Sequence, residues 1–427
     1  MKLTRREFIF TAGRLGAVLP FLFSPSACAP VFPVVNQDTG LSLGYVSGDI
    51  TPDGAVIWLR SVPGSMVNVQ YSKDPSLTQF VATEPLVIGQ DSDGTAHIQI
   101  DRLDPGTFYY YRAAVANKKP GPIARFLTAP KPDDNAVVKF CFSADSRQSY
   151  QPFTIMDAIN ANQPNFFVHL GDTIYADRGG TATELADFWD KYRANRDAPS
   201  QRLFSDTDVY VIWDDHEVRN DYEGSPPIAV VGRRAFFDYW PVRRNPQEKN
   251  RLYRSFRWGK ALDLFLLDAR QYRDHAHRKM LGRPQKEWLF NGLASSSALF
   301  KVIATSVPMI GGGRDRWDGY PEERLELIHW ITQKKITGVI FISGDLHYAA
   351  VSKVHGLTGA RQIVAGPMAA PMNVLANGNS KRFEFFSNRT FNFGMITIDP
   401  ASSTPQMMVE LRDEANRLLY RTPINCI

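Results

Sequence analysis

The chain has 427 residues, of which 44% are hydrophobic and 22% are charged, a globular composition rather than that of a disordered chain. Its length exceeds what one core usually needs, so we expect two domains. The 49 Lys and Arg against 44 Asp and Glu leave a formal net charge of +5. This small excess suits an anionic substrate or surface, and we expect no nucleic-acid binding beyond a nucleic acid that serves as substrate.

Residues 1–29 predict an export signal. A basic stretch with Arg5 and Arg6 precedes the apolar residues 15–23, which are too few for the roughly 20 residues of a membrane-spanning helix. "TRREF" resembles the twin-arginine signature; an ordinary secretory signal is the alternative. "SPSAC" resembles a lipobox that has Pro25 in place of an aliphatic residue, so lipid attachment at Cys28 and simple cleavage both stay open. We expect a periplasmic or cell-surface protein, with or without a lipid anchor.

Residues 40–130 predict a small N-terminal β-sandwich. Strand-like runs such as "AVIWLR", "MVNVQYS", "AHIQIDRL" and "FYYYRAAVA" alternate with turns such as "TPDG" and "DPGT". "LDPGTFYYYRAAV" followed by "RFLTAP" resembles the end of a fibronectin type III-like domain. Successive side chains of a strand point to opposite faces, so we expect Tyr109, Tyr110 and Tyr111 to pack one face and cover the other. This is favoured over a binding role for the three tyrosines. Residues 129–135, polar and Pro-rich, predict a linker.

Residues 136–427 predict a layered α/β domain. The short apolar runs "VVKFCFSA", "FFVHL", "VYVIW", "FKVIATSVP" and "GVIFISG" lack polar alternation, as do strands that are buried on both faces. Helix-like stretches such as "TATELADFWDKYRANRD" and "PEERLELIHWITQKK" lie between several of them. Ligand sites in such folds cluster at the carboxyl ends of the strands.

Four of these runs end in carboxylates or histidine: "DSR" begins at Asp145, "GDTIY" at Gly171, "DDHE" at Asp214 and "GDLH" at Gly344. A single such ending would be a helix cap or a turn. Capping requires only one side chain per helix, however, so it does not explain a run such as "DDHE". Carboxylates that converge on one edge repel each other unless a cation neutralises them. The four endings together therefore predict a metal centre.

Oxygen donors dominate these endings, and no cysteine follows a strand. This favours hard or borderline ions such as Fe, Mn, Ca, Mg or Zn over a thiolate-bound metal. About six candidate ligands favour two ions that share one carboxylate, an arrangement suited to the hydrolysis of a phosphate ester. Arg147, two residues after Asp145, is suited to bind phosphate with a bidentate guanidinium.

These residues resemble the metallophosphoesterase superfamily, and within it the PhoD-like (alkaline phosphatase D) family. "HLGDTIYAD", "WDDHEVRND", "FLLDARQYRD", "LGRPQKEWL" and "SGDLHYA" are similar to that family's successive motifs, and "LSLGYVSGDITPDGAVIWLR" to the opening of its N-terminal domain. The resemblance covers most of the chain after the export signal. It implies a four-layer αββα, calcineurin-like core preceded by the fibronectin III/Ig-like sandwich, and hydrolysis of phosphomonoesters or phosphodiesters at a dinuclear centre.

The resemblance also implies roles for individual residues. Asp172 would bridge the two metals. The other ligands would be Asp145, Tyr175 and His347 for the first metal, and Asp215, Asn220 and Asp345 for the second. His216 would protonate the leaving group or stabilise the transition state. The nucleophile would be a metal-bound water or hydroxide.

One ligand position departs from the family pattern. Where relatives carry Ser-Cys, this chain has Ala144 and Asp145, so a carboxylate replaces the thiolate that accompanies the tyrosine on iron. Cys141 lies four residues earlier, about 13 Å along a strand, and is no substitute. Tyr175 itself is either a ligand or a core aromatic residue. The metals, among Fe, Ca, Mn and Zn, therefore stay open.

Several further alternatives stay open. The arginine-rich residues 233–257 either face an anionic substrate or form a solvated basic face. Asp268 and Arg270 either form a buried ion pair that braces the site or contact the substrate. The main predicted function is that of an exported metal-dependent phosphoesterase. The alternatives are a phosphodiesterase or phospholipase D-type enzyme acting on lipid or cell-wall phosphodiesters, and an inactive surface lipoprotein.

Overall fold

The computed structural model describes residues 36–378 and 381–426, so the predicted export signal and Cys28 lie outside the described residues. The N-terminal strands are β1 (Leu41–Thr51), β2 (Gly54–Ser61), β3 (Met66–Ser72), β4 (Val81–Ala82), β5 (Leu86–Val87), β6 (Thr95–Asp101), β7 (Phe108–Val115) and β8 (Ala124–Leu127). The later strands are β9 (Val138–Ser143), β10 (Phe166–His169), β11 (Asp208–Val211), β12 (Arg254–Trp258), β13 (Leu262–Leu266), β14 (Phe300–Ala304), β15 (Val339–Ser343), β16 (Ala349–Lys353), β17 (Arg361–Val364), β18 (Phe383–Ser387), β19 (Asn392–Ile398), β20 (Gln406–Asp413) and β21 (Leu418–Asn425).

The α-helices of the described residues are α1 (Thr154–Ala161), α2 (Leu185–Ala194), α3 (Ala198–Asp206), α4 (Pro227–Tyr239), α5 (Gly282–Ser295) and α6 (Pro321–Gln333). None of these helices has both the length and the apolar character that crossing a bilayer requires. Five of the six come after a strand of the predicted layered domain, as its alternating pattern of apolar runs and helix-like stretches predicts, and α3 comes after α2.

The described strands form three sheets. The first has nine strands in the order β21-β20-β19-β9-β10-β11-β1-β2-β6, and the second has seven in the order β12-β13-β14-β15-β17-β16-β18. The third has the order β4-β3-β7-β8, with β5 also paired to β3. Strands β9, β10 and β11 are parallel to one another, as are β13, β14 and β15. The carboxyl ends of each parallel set therefore lie at one edge of its sheet.

The two large sheets pack face to face between two layers of helices. Along β10, Phe166 and Val168 join the cluster between the sheets, which includes Leu264 of β13, whereas Phe167 packs outward with Phe188 of α2. Helices α5 and α6 cover the outer face of the second sheet in the same way. This is the predicted four-layer αββα core. Burial of both strand faces explains why the apolar runs lack polar alternation.

The predicted N-terminal β-sandwich is present, and one of its two layers continues the first large sheet. Strand β1 pairs in parallel with β11, with Gly48 opposite Val209. Asp208, the first residue of β11, connects this strand to both layers of the sandwich. Its carboxyl group accepts hydrogen bonds from Ser47 Oγ of β1 at 2.7 Å and from Leu127 N of β8 at 2.9 Å. Sequence patterning did not predict this shared sheet, because strand pairing at such separations leaves no local periodicity. The domain boundaries stay a prediction.

Candidate metal centre

The strand ends of both large sheets contribute the polar residues of the site. Asp145 follows β9, Asp172 follows β10, and Asp215 follows β11, all in the first sheet, whereas His347 follows β15 of the second. The ligand atoms of Asp145, Asp172 and His347 all lie within 4.8 Å of one another. The facing edges of the two sheets thus bring together groups that are up to 202 positions apart in the chain, 347 minus 145.

Several of these residues have strained backbones. Asp145, Asp172, Asp345 and His347 have φ values of +64°, +54°, +64° and +55°, in the left-handed region that non-glycine residues enter at a cost of about 1 kcal/mol or more each. Gly366 approaches the cluster so closely that a Cβ there would come within 2.5 Å of Asp145 Oδ2. Because this conformation costs stability, its presence at four acidic or histidine positions of one cluster fits a functional site.

Asp145, Asp172 and His347 form the first acidic group. His347 Nε2 lies 3.6 Å from Asp145 Oδ1 and 3.3 Å from the Tyr175 hydroxyl, while its Nδ1 hydrogen-bonds with the carbonyl of Pro371. Both carboxyl oxygens of Asp145 are buried without a hydrogen-bond partner. A buried carboxylate without donors is strongly disfavoured unless a cation is bound. The donor set therefore fits a metal ion.

Burial and mutual repulsion govern the protonation of this group. Burial, then the charge of Asp345, raises the pKa of Asp145 well above its usual range. Burial, then the charge of Asp215, does the same for Asp172. The pKa of the buried Tyr175 hydroxyl is also raised, by burial first and then by Asp172. A bound cation would reverse each of these shifts, so metal binding at this group would release protons.

Asp172, Asp215 and His216 form the second acidic group, with ligand atoms within 4.8 Å of one another, so Asp172 belongs to both groups. His216 Nδ1 hydrogen-bonds with Asp177 Oδ1 at 2.7 Å, and its ring stacks on Tyr175 with 4.3 Å between centroids. Burial lowers the pKa of His216, but the bond to Asp177 and the charges of Asp215 and Asp177 outweigh it and raise the pKa overall. A carboxylate that orients one ring nitrogen suits either a metal ligand or a proton donor.

A buried arginine neutralises the acidic residues beside this second group. Arg270 is fully buried; its Nε donates to Asp214 Oδ1 at 2.5 Å, and its two Nη atoms donate to Asp315 at 2.8 Å each. Its Nη2 also lies 3.7 Å from Asp215 Oδ1. Burial raises the pKa of Asp215, but Arg270 and His216 outweigh it, and the pKa is lowered overall. Arg270 therefore braces the site within a buried ion-pair network.

The other candidate residues lie at the margins of the two groups. Arg316 Nε donates to Asp345 Oδ2 at 2.8 Å, and burial raises the pKa of Asp345 to about 7. Asn220 is exposed, and its side-chain oxygen accepts a hydrogen bond from Arg178 at 3.4 Å. The Arg147 guanidinium is 6.0 Å from the centroid of the Tyr175 ring. Asn220 and Arg147 thus lie next to charged or aromatic neighbours of the groups, and their assigned roles stay predictions.

Sequence reasoning missed several residues that hold this site together. Asp177 orients His216, and it lies two residues after Tyr175 within the quoted motif "HLGDTIYAD", where its charge was the available signal. Asp315 and Arg316 lie in the loop "GGGRDRWDGY", which has neither strand nor helix periodicity. Their partners are far away in the chain, so no local pattern could have identified them.

Glu217 connects the loops that follow β10 and β11. Its carboxylate accepts hydrogen bonds from Asp172 N at 3.2 Å, Thr173 N at 2.5 Å, Thr173 Oγ1 at 2.7 Å and Asp214 N at 2.8 Å. Because two of these donors belong to Asp172 and Asp214 themselves, Glu217 fixes their backbones relative to each other. It contributes position rather than a ligand atom.

An αββα core with carboxylates and histidines at the carboxyl ends of its central strands is the arrangement expected of a metallophosphoesterase. Within this class, the chain belongs to the PhoD-like phosphatase family, whose model matches residues 140–388, and the model of the PhoD-like phosphatase N-terminal domain matches residues 27–130. The chain is therefore a hydrolase of phosphoric ester bonds, and its substrate is a phosphate ester. The family predicted from the motifs is confirmed.

Individual relatives agree with this assignment. Alkaline phosphatase D of Bacillus subtilis (strain 168) is 28% identical to the chain, over 82% of this chain and 72% of the relative. A solved structure of PhoD has a TM-score of 0.77 at 22% identity, covering 92% of this chain and 93% of that one. Purple acid phosphatase PPD1 from yellow lupin (Lupinus luteus) seeds has a TM-score of 0.67 at 15% identity, covering 90% and 73%. The two structural likenesses show the shared fold.

Proposed function

We propose that the chain is an exported phosphoesterase that cleaves phosphate esters at a centre of two metal ions. The observation that carries this proposal is that Asp172 belongs to both acidic groups, as a carboxylate shared by two ions would. The proposed ligands are Asp145, Asp172, Tyr175 and His347 for one ion, and Asp172, Asp215, Asn220 and Asp345 for the other. When bound, the ions would supply an activated water and neutralise phosphoryl oxygens.

His216 and Arg147 are the chain's own groups for the reaction. Asp177 holds one ring nitrogen of His216, which leaves the other nitrogen to pass a proton to the departing alkoxide. The raised pKa of His216 favours the protonated form that this role requires. Arg147, half-buried beside Tyr175, is a bidentate donor suited to phosphoryl oxygens. The protein's own contribution is therefore to position the ester between protonated His216 and Arg147.

Metal analysis tests the centre. Mass spectrometry of the purified protein is expected to find two ions per chain, among Fe, Ca, Mn and Zn, and the Asp172→Asn variant is expected to retain fewer. If one ion is ferric and bound by Tyr175, the protein absorbs visible light and the Tyr175→Phe variant does not. One ion per chain, or full metal content in Asp172→Asn, would contradict the shared carboxylate.

The proton-donor role of His216 has its own test. In His216→Asn, kcat is expected to fall more for esters of weakly acidic alcohols than for nitrophenyl esters, because good leaving groups need no proton. Metal content should stay at two ions per chain. If His216 is instead a ligand, the variant loses metal and the two classes of ester are affected equally.

A diesterase is the second candidate, and a cavity beside the acidic groups favours it. This cavity, about 580 Å³, has a mixed lining that includes Arg316, Arg382, Asn373, Leu346, Tyr348 and Phe386. Arg316 is the partner of Asp345, so the cavity adjoins the site and has room for the second alcohol group of a diester. Comparing hydrolysis of nitrophenyl phosphate with that of its bis-ester distinguishes the two. Cleavage of the bis-ester alone would establish the diesterase.

We further propose export to the periplasm or cell surface through the twin-arginine route, with lipid attachment at Cys28 as an open step. The support is the sequence of residues 1–29. Changing both Arg5 and Arg6 to lysine should leave the protein in the cytoplasmic fraction. The mass of the mature N-terminus, compared between the parent and Cys28→Ser, decides whether Cys28 carries lipid.

A further inference from the structure

The arginine-rich residues 233–257 do not converge on the metal centre. Arg233 is buried and hydrogen-bonds with Gln271, and Arg234 is partly exposed on α4. The remaining five arginines line a single cavity of about 430 Å³, away from the proposed ligands; they are Arg243, Arg244, Arg251, Arg254 and Arg257. None of the nine residues predicted for the catalytic site lines this cavity.

Two of these five arginines are well neutralised. Asp49 is fully buried and is the carboxylate that lines the cavity; Arg254 Nε lies 2.8 Å from its Oδ2. Arg257 Nη1 lies 3.0 Å from Asp263 Oδ2. These pairs have short distances and little exposure, so the charges of Arg254 and Arg257 are already neutralised by protein carboxylates.

The other three arginines are poorly neutralised. Arg243 and Arg251 lie 3.6 Å and 3.7 Å from the carboxylates of Asp101 and Glu248, which are 55% and 52% exposed, and such pairs contribute little. Within the described residues, Arg244 has no carboxylate within 4.0 Å; it donates to the carbonyl of Lys249. In addition, Nε and Nη2 of Arg243 are buried without a hydrogen-bond partner.

We propose that this arginine cavity, defined by Arg243, Arg244 and Arg251, binds a phosphoryl group at a site separate from the metal centre. Guanidinium groups bind phosphate oxygens in pairs, and Arg243, whose side chain is 30% exposed, keeps donors that no described protein group uses. The Arg251 guanidinium lies 4.1 Å from the centroid of the Tyr253 ring and 5.5 Å from that of Trp288, which limits the orientations it can take. The hydrolase releases inorganic phosphate or a phosphate monoester, so the anion is present where the protein works.

Calorimetric titration of the metal-loaded protein with inorganic phosphate tests the proposal. The parent is expected to show two classes of site, and the Arg243→Gln/Arg244→Gln variant one class, with the lost site weakened at least tenfold. Arg234→Gln, an arginine outside the cavity, is the matched control and should retain both. Sodium chloride at equal ionic strength should not reproduce the effect. Two unchanged classes in the double variant, or equal binding of chloride, would overturn the proposal.

The second phosphate site must also be independent of the metals. Asp172→Asn is expected to retain binding at the arginine cavity even if hydrolysis is lost, so failure of this site and failure of the proposed catalytic centre give different results. Trp288 provides a local signal: phosphate should change the fluorescence of the parent and not that of Trp288→Phe, which tests the cavity even if the double variant is unstable. Titration with phenylphosphonate in place of inorganic phosphate shows whether the site binds an ester-like ligand or only the free anion. If neither ligand gives a fluorescence change that depends on Trp288, the proposal is overturned.

Discussion

The carboxylates of the site fall into two sets that differ in their counter-charge. Asp214 and Asp215 lie around the buried guanidinium of Arg270, whereas within the described residues no lysine or arginine lies within 4.0 Å of Asp145 or Asp172. The pKa of Asp215 is lowered, burial still raises that of Asp214 although Arg270 opposes the shift, and those of Asp145 and Asp172 are raised well above their usual range. The protein therefore supplies a cation for one set and relies on a bound cation for the other.

The largest expected effect comes from removing the internal cation. Arg270→Met should lower the free energy of unfolding by about 3–5 kcal/mol, because Asp214, Asp215 and Asp315 would be left near one another without a counter-charge. Denaturant unfolding in the presence of a chelator measures this without metal binding. The exposed pair of Arg283 and Glu287 is the control, and Arg283→Met should cost less than about 1 kcal/mol. Equal costs would mean that Arg270 has no special role.

Removing a carboxylate of the other set should reduce catalytic activity much more than stability. We expect Asp172→Asn to lower kcat by about a hundredfold or more, because the group shared by both acidic groups no longer carries charge. In the presence of a chelator, the free energy of unfolding of the same variant should lie within about 1 kcal/mol of that of the parent. The reason is that the substitution removes a buried acid that has no lysine or arginine partner. Hydrolysis at the parental rate in metal-loaded protein would refute the site assignment.

A smaller effect is expected at the carboxylate that orients His216. Asp177→Asn should lower kcat by about tenfold, since it loses the charged partner of His216 Nδ1 while keeping an oxygen that can accept a hydrogen bond. Asp177 raises the pKa of His216, so the variant should also lose activity at a lower pH as His216 deprotonates earlier. A pH profile of kcat measures this. An unshifted profile would show that His216 is not titrating in the rate-limiting step.

The smallest effect concerns Asp208, a buried carboxyl of β11 that accepts hydrogen bonds from two neutral donors, Ser47 Oγ and Leu127 N. Burial raises its pKa to about 7, although Leu127 N and Ser47 oppose the shift. A raised pKa means that its contribution to stability is present below about pH 4 and is lost as the pH rises through 7. Asp208→Asn should therefore reduce the fall in unfolding free energy between pH 6 and pH 8 by on the order of 1 kcal/mol. The exposed Asp104→Asn is the control; identical pH dependence in all three proteins would contradict the prediction.

Much of the fold and the centre of the site could be predicted from the sequence. The runs before Asp145 and Asp172 are apolar without alternation because their strands are buried on both faces, and this local property identified parallel strands whose ends meet. The counter-charges could not be predicted. Arg270 meets Asp214 and Asp315 from 56 and 45 positions away, and nothing in the intervening sequence records either contact.

The sequence by itself determined the family, the layered class and the strand ends that carry the acidic residues, because burial patterns and motifs are properties of neighbouring residues. Only the tertiary structure decided which carboxylates receive an arginine, that Asp172 belongs to both acidic groups, and that the arginines after α4 line a cavity of their own. It also decided that β1 extends the first large sheet. Charge neutralisation and sheet pairing join distant segments, and their energies depend on distances that exist only in the folded chain.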